Sequence, residues 1–305
     1  MPIDRLERAR VSLQGLALGD ALGSQFFVPA NRHLPAAREL PPAPWSWTDD
    51  TEMACVIVTE LAAGDGLIDQ DRLIAGFAGR YDFDRGYGPS TNRFLRRVRD
   101  GEDWRLLLGE LFDGQGSWGN GAAMRVAPLG AYHAGDPEQA ARQAALSATV
   151  THTHPEAVAG AIAVAVAACL VAAGETSPGP LLDTVLRHVP PGRVRDGIRR
   201  ARGLLPLRDP EAAARELGNG RDVSAHGTVP FTLWAAATRL RDFPEAVWAA
   251  VRAGGDVDTT CAIVAGVVAA RLGFHDLPLT WIRAAEPLPP WAGQGPTVGS
   301  HERRD

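Results

Sequence analysis

Two short acidic motifs near opposite ends of the chain, Thr48-Asp49-Asp50 and Asp256-Val257-Asp258-Thr259, constrain the fold more than any other feature. Each is set against an apolar helical segment and offers several oxygen donors in a row. Hard divalent cations such as Mg²⁺ take oxygen ligands of this kind. If both motifs serve one site, the two ends of the chain have to meet. Four carboxylates sharing a small volume raise one another's pKa unless a cation neutralises them. A pair of ions about 3.5–4 Å apart would do so, with the hydroxyls of Thr48 and Thr259 as neutral ligands. A plainer reading stands beside this one. Asp49 followed by Glu52, and Asp258 followed by Thr259-Thr260, both suit helix N-caps. Taken singly, each motif reads better as a cap; the repetition at both ends favours the shared site.

The rest of the chain is helical in pattern. Residues 5–22 carry Leu6, Ala9, Leu13, Leu16, Ala17 and Ala21 on one face, and similar periodicity predicts helices over 52–63, 137–148, 156–173, 228–240, 244–253 and 260–272. The expected fold class is therefore all-α. Proline- and glycine-rich breaks fall at 35–44, 114–121, 176–180, 190–191 and 287–299, none long enough to read as an interdomain linker. One domain over residues 1–290 is expected, with a mobile tail over 291–305. Asp20 puts a charge inside the first apolar helix. A buried carboxylate needs partners, so Asp20 either braces a neighbouring segment, the preferred reading, or supports a metal shell.

Composition narrows the chemistry. All 31 basic residues are arginine, which removes Schiff-base chemistry, a lysine general base and a phosphate-loop lysine. Cys55, Cys169 and Cys261 each sit in an apolar helical stretch and read as core packing in a reducing compartment. The net charge of −5 gives no footprint for a polymeric nucleic acid partner. Charged residues from Asp4 to Arg10 stand where an export signal would be apolar, so a cytoplasmic location is expected. The uncharged stretch over 157–173 is read as a buried central helix rather than a membrane span.

Three further segments invite function. Gly114 to Gly121 is a glycine-rich loop ahead of a helix-like stretch from Ala122, a setting in which backbone N–H groups attract phosphate, and Trp118 offers a flat face there. By itself such a loop is more often a plain connection. In Thr151-His152-Thr153-His154-Pro155 the histidine spacing does not suit a helical zinc pair, so a helix-entry turn with one histidine contacting phosphate or ribose is preferred. Asp82 to Pro89 reads as a turn-rich loop with Tyr87 a candidate pocket aromatic.

In chain order, GLALGDALG at 15–23, WTDDTEMA at 47–54, GSWGNGAAMRVAPLG at 116–130, THTHPEA at 151–157 and GGDVDTTCAIVAG at 254–266 resemble the ADP-ribosylglycohydrolase family, which includes the dinitrogen-reductase-activating glycohydrolases. The resemblance spans nearly the whole chain. It implies a single orthogonally packed helical bundle with two Mg²⁺ ions, or Mn²⁺, at the bottom of a cleft. By motif match, Thr48, Asp49, Asp50, Asp256, Asp258 and Thr259 fall on the family's metal ligands. Ser117, Trp118, Gly119, Asn120 and Gly121 fall on its diphosphate- and ribose-binding loop, with Trp118 near the adenosine, and His152 falls on the histidine facing the ligand. The expected activity is Mg-dependent hydrolysis of the bond between ADP-ribose and an acceptor, with ADP-ribose or an ADP-ribosylated acceptor as partner and Asp50 or Asp258 as the catalytic proton acceptor.

One departure bears on catalysis. Family members that cleave ADP-ribosylated proteins usually carry a glutamate shortly after GDALG, where this chain reads Ser24-Gln25-Phe26-Phe27-Val28-Pro29. Gln25 cannot act as a general base. The role passes to Glu39 or to an aspartate of the metal motifs, or the chain is an inactive ADP-ribose binder. A metal-dependent nucleotide phosphohydrolase is the other alternative, since the same ions would activate water toward phosphorus.

Overall fold

Several helix starts in this chain pair a capping side chain with a following proline. Proline at the first helical position gives up only an N–H that would lack a partner anyway. Asp136 accepts from Gln139 N (2.9 Å) ahead of Pro137, His154 Nδ1 accepts from Glu156 N (3.1 Å) ahead of Pro155, and Asp209 accepts from Glu211 N (3.1 Å) ahead of Pro210.

The computed structural model describes residues 4–293, and among them sixteen α-helices form and no strand does. In chain order they are α1 (Arg5–Ser24), α2 (Leu34–Ala37), α3 (Asp49–Ala63), α4 (Gln70–Arg80), α5 (Pro89–Arg99), α6 (Trp104–Glu110), α7 (Ala127–Tyr132) and α8 (Pro137–Thr149). There follow α9 (Pro155–Ala172), α10 (Pro178–His188), α11 (Arg193–Gly203), α12 (Pro210–Leu217), α13 (Ala225–Ala237), α14 (Phe243–Ala253), α15 (Val257–Ala269) and α16 (Leu279–Ala284). The expected all-α class is what forms.

The packing that matters for function is that of α1 on α15. Gly15, Gly19 and Gly23 recur every fourth residue, so they share one face of α1. A Cβ on Gly15 would stand 2.2 Å from Ala269 Cβ, one on Gly19 2.3 Å from the Cys261 carbonyl oxygen, and one on Gly23 2.7 Å from Asp258 Cα. Only glycine lets the two helices lie this close, and the approach brings Asp20 of α1 beside the start of α15. The three cysteines are buried and free, as core packing requires.

Helix α9 is long and apolar enough to cross a membrane by length and composition, yet 72% of it is buried inside the fold, against α7, α8, α10 and α13. Burial on all sides explains why it lacks an amphipathic stripe.

Several expected boundaries move. The sequence reading starts helices at 52, 228 and 260, whereas α3, α13 and α15 begin at Asp49, Ala225 and Val257. In all three cases polar or glycine residues interrupt the apolar period within the first turn, Asp49-Asp50-Thr51, His226-Gly227-Thr228 and Asp258-Thr259-Thr260, so periodicity does not mark the start. The caps of the acidic helices are Thr48 and Asp256 rather than Asp49 and Asp258. The stretch after the glycine loop is a short 3₁₀ turn, Asn120–Ala122, and the helix proper waits for Ala127. Of the expected tail, residues 291–293 still pack, with Arg10 donating to the Gly293 carbonyl (2.7 Å) and Arg80 lying over the Trp291 ring (4.5 Å). Residues 294–305 lie outside the described residues.

Candidate metal centre and active-site cavity

Three helices deliver carboxylates to one place. Asp20 comes from the last turns of α1, Asp49 and Asp50 from the first turn of α3, and Asp256 and Asp258 from the start of α15. Oxygens of Asp20, Asp50 and Asp258 lie within 4.8 Å of one another. Asp49, Asp50, Asp256, Asp258 and Thr259 line a single cavity of about 340 Å³. Helix N-termini carry partial positive charge, which offsets part of the repulsion among these acids.

Asp20 is the brace expected of it and more. It is fully buried and accepts from Thr48 N and Oγ1 (both 2.8 Å), Thr51 N (3.2 Å) and Thr51 Oγ1 (2.6 Å). These bonds pin the start of α3 to α1. Thr48 spends its hydroxyl inside the cluster, on Asp20 and within 3.2 Å of Asp50 Oδ2, and does not line the cavity. Asp256 is anchored by Asn120 Nδ2 (2.7 Å), and Asp258 accepts from Thr259 N (2.8 Å).

The electrostatics follow from burial. Asp49 is pushed up to about 8, by desolvation first and by the charges of Asp20 and Asp256 after it. Asp50 and Asp258 are held well above the ordinary carboxylate range, again by desolvation first, with Asp20 the next cause for Asp50 and Asp256 for Asp258. Asp50 Oδ1 is buried and has no hydrogen-bond partner among the described residues. A buried carboxylate oxygen without a partner is costly. An all-oxygen donor set containing such an oxygen fits a hard divalent cation.

The opposite wall comes from the glycine loop. Ser117, Gly119, Asn120, Gly121 and His152 all line the acidic cavity. His152 is 5% exposed, and burial with the nearby Arg125 pulls its pKa down to about 3, so the ring is neutral near pH 7. Trp118 does not join them. It is 53% exposed, stacks edge-on against His154 at 5.7 Å and lines an adjoining cavity of about 230 Å³. Sequence reasoning missed Phe112, which walls both cavities with its backbone in the left-handed region (φ 52°). Nothing in local periodicity marks an exposed phenylalanine in a loop. Tyr87 is not a pocket aromatic: it is buried, donates to Glu52 Oε2 (2.6 Å) and does not line the cavity, although Gly86 and Gly88 beside it do. Neither Gln25 nor Glu39 lines the cavity, and Gln25 Nε2 is bonded to Ser24 Oγ (3.1 Å). Larger clefts of about 500 and 470 Å³ lie elsewhere, but neither collects acids from several helices.

Comparison with known proteins agrees in extent. A family model described as ADP-ribosylglycohydrolase matches residues 1–294. An Archaeoglobus fulgidus protein described only as uncharacterized is 34% identical, covering 90% of this chain and 90% of its own length. The human ADP-ribosylhydrolase ARH3 is 28% identical, covering 92% of this chain and 90% of its own. A solved structure titled as an ADP-ribosylglycohydrolase-related protein complex superposes with a TM-score of 0.64 at 28% identity, covering 93% of both chains.

Proposed function

The chain belongs to the ADP-ribosylglycohydrolase family of hydrolases, and from that premise we propose that it hydrolyses the glycosidic bond between ADP-ribose and an acceptor, releasing ADP-ribose, with two Mg²⁺ ions as cofactors and Mn²⁺ as a substitute. The observation that carries this reading is the convergence of five aspartates from three helices with a glycine loop and a neutral histidine. The names of the ARH3 relatives support ADP-ribose as the glycosyl part of the substrate, with the acceptor as the leaving group.

In this proposal Asp49, Asp50, Asp256, Asp258 and Thr259 hold the cations, while Thr48 acts through Asp20 and Asp50. Bound there, divalent cations supply Lewis acidity toward water and toward ribose hydroxyls. The protein's share is orientation and proton handling. Asp258, more open to the cavity than the buried Asp50, takes the proton from the attacking water. Because neither Gln25 nor Glu39 faces the cavity, an aspartate is the available base. Developing positive charge on the anomeric carbon is stabilised by the surrounding carboxylates, as in other oxocarbenium-like glycoside cleavages. Ser117 to Gly121 and His152 hold the diphosphate and its ribose, and Trp118 and Phe112 present aromatic faces to the base through the adjoining cavity.

The test is release of ADP-ribose from a panel of arginine-, serine- and nucleic-acid-linked ADP-ribose, with and without EDTA. Turnover should vanish on chelation and return with Mg²⁺. Asp258→Ala should abolish both Mg²⁺ binding and release. Full turnover by that variant, or inorganic phosphate as the only product, would remove the proposal.

A further inference from the structure

One buried chain of hydrogen bonds beside the cavity decides what the cavity offers a ligand. Arg125, in the segment after the glycine loop, is fully buried and makes no ion pair among the described residues. Its guanidinium is held by the Ser147 carbonyl (2.8 Å), Thr151 Oγ1 (2.9 Å), Met53 Sδ (3.3 Å) and the Phe77 ring, whose centre is 4.5 Å away. Thr151 Oγ1 lies 2.7 Å from His152 Nδ1. The other ring nitrogen, Nε2, makes no hydrogen bond among the described residues. It stands over the glycine loop, where a Cβ on Gly121 would come within 3.0 Å of it and one on Gly119 within 3.3 Å.

Donor and acceptor counting leaves one arrangement. A guanidinium only donates, so Thr151 Oγ1 accepts from Arg125. The hydroxyl then has one hydrogen to place, and His152 Nδ1 is the acceptor within reach. Were the ring proton on Nδ1 instead, Thr151 would accept twice and its own buried hydrogen would have no partner. Leaving such a group unsatisfied biases the tautomer ratio by about tenfold or more.

We infer that Arg125 and Thr151 are positioning residues that lock His152 with its proton on Nε2, so that the cavity meets a hydrogen-bond donor at the glycine loop and selects an oxygen acceptor, such as a phosphoryl or ribose oxygen of a nucleotide sugar. The desolvated Arg125 charge also opposes protonation of the ring, which keeps Nδ1 free to accept. The choice of nucleotide sugar rests on the function proposed above. The tautomer does not.

Long-range ¹H–¹⁵N spectra of the histidine-labelled protein near pH 7 read the tautomer directly, with the His152 signals identified by their loss in His152→Gln. The expected pattern is a protonated Nε2 and a bare Nδ1. Thr151→Val should mix the tautomers and weaken ADP-ribose binding about tenfold by calorimetry, while Thr151→Ser, which keeps the hydroxyl, should restore both. Arg125→Met should mix the tautomers too; if that variant does not fold, the Val and Ser pair still decides. A wild-type ring protonated on Nδ1, or a Val variant with an unchanged pattern, overturns the inference. Wild-type protein that does not bind ADP-ribose removes the functional reading and the ligand choice, while the spectra still decide the role of Arg125 and Thr151.

Discussion

Gly19→Ala is a one-methyl test of whether the α1–α15 crossing assembles the site. On helix propensity alone the change is favourable by up to about 1 kcal/mol, because alanine restricts the unfolded chain. The fold reverses that sign. The new Cβ would stand 2.3 Å from the Cys261 carbonyl oxygen and 2.6 Å from Ala265 Cβ, where ordinary contact begins at 3.4 Å. Both partners belong to packed α15, so the helices have to separate by about 1 Å. Overpacking of this kind costs about 1–3 kcal/mol, leaving a net loss of up to about 2 kcal/mol after the full propensity gain. Asp20 adjoins Gly19, and Asp258 is one turn from Cys261, so the same separation widens the acid cluster. Mg²⁺ affinity should fall about tenfold or more, the usual penalty for displacing the support of a metal ligand. Gly79→Ala is the matched control: it is also helical, and a Cβ there meets nothing within 4 Å. That variant should gain about 0.5–1 kcal/mol. Urea unfolding and Mg²⁺ calorimetry on the two variants suffice. If Gly19→Ala matches or exceeds the wild type in stability and binds Mg²⁺ equally well, the glycine seam does not set the site.

Without metal, stability should fall as pH rises. Folded Asp49 sits at about 8 against an ordinary 3.8, so between those values the folded protein binds the extra proton. Its contribution is complete below about pH 4 and lost through pH 8, with a slope of up to about 1.4 kcal/mol per pH unit. Urea midpoints in EDTA at pH 5.5 and 8.5 should show the fall and Mg²⁺ should erase it; a rise with pH would contradict the buried, mutually repelling acids. Trp118→Ala should raise KM about tenfold with kcat nearly unchanged, since base stacking is worth roughly 1–3 kcal/mol and Trp118 stands outside the acidic cavity. A collapsed kcat with KM intact would place Trp118 at the chemistry instead.

The donors were legible because their types are unusual where they stand. Paired aspartates heading apolar segments, a charge at Asp20 within an apolar helix and glycines flanking Asn120 depart from what packing alone would choose. Helix bodies were legible for the complementary reason, that burial imposes a period of 3.6 residues. The starts of α3, α13 and α15 were not, because their first turns break the apolar period. Phe112 and the inward turn of Tyr87 were equally hidden, since the direction of a loop side chain depends on what packs beside it.

The sequence by itself determined an all-helical chain, the oxygen-rich chemistry of two distant motifs and the absence of any lysine from that chemistry. Only the tertiary structure decided that Asp20 completes the tightest triple of acids, that Trp118 stands in the adjoining cavity, and that Arg125 reaches His152 through Thr151. Residue identity fixes which bonds a side chain can make. Which of them it does make depends on how closely helices far apart in sequence approach, and here three glycines on α1 set that distance.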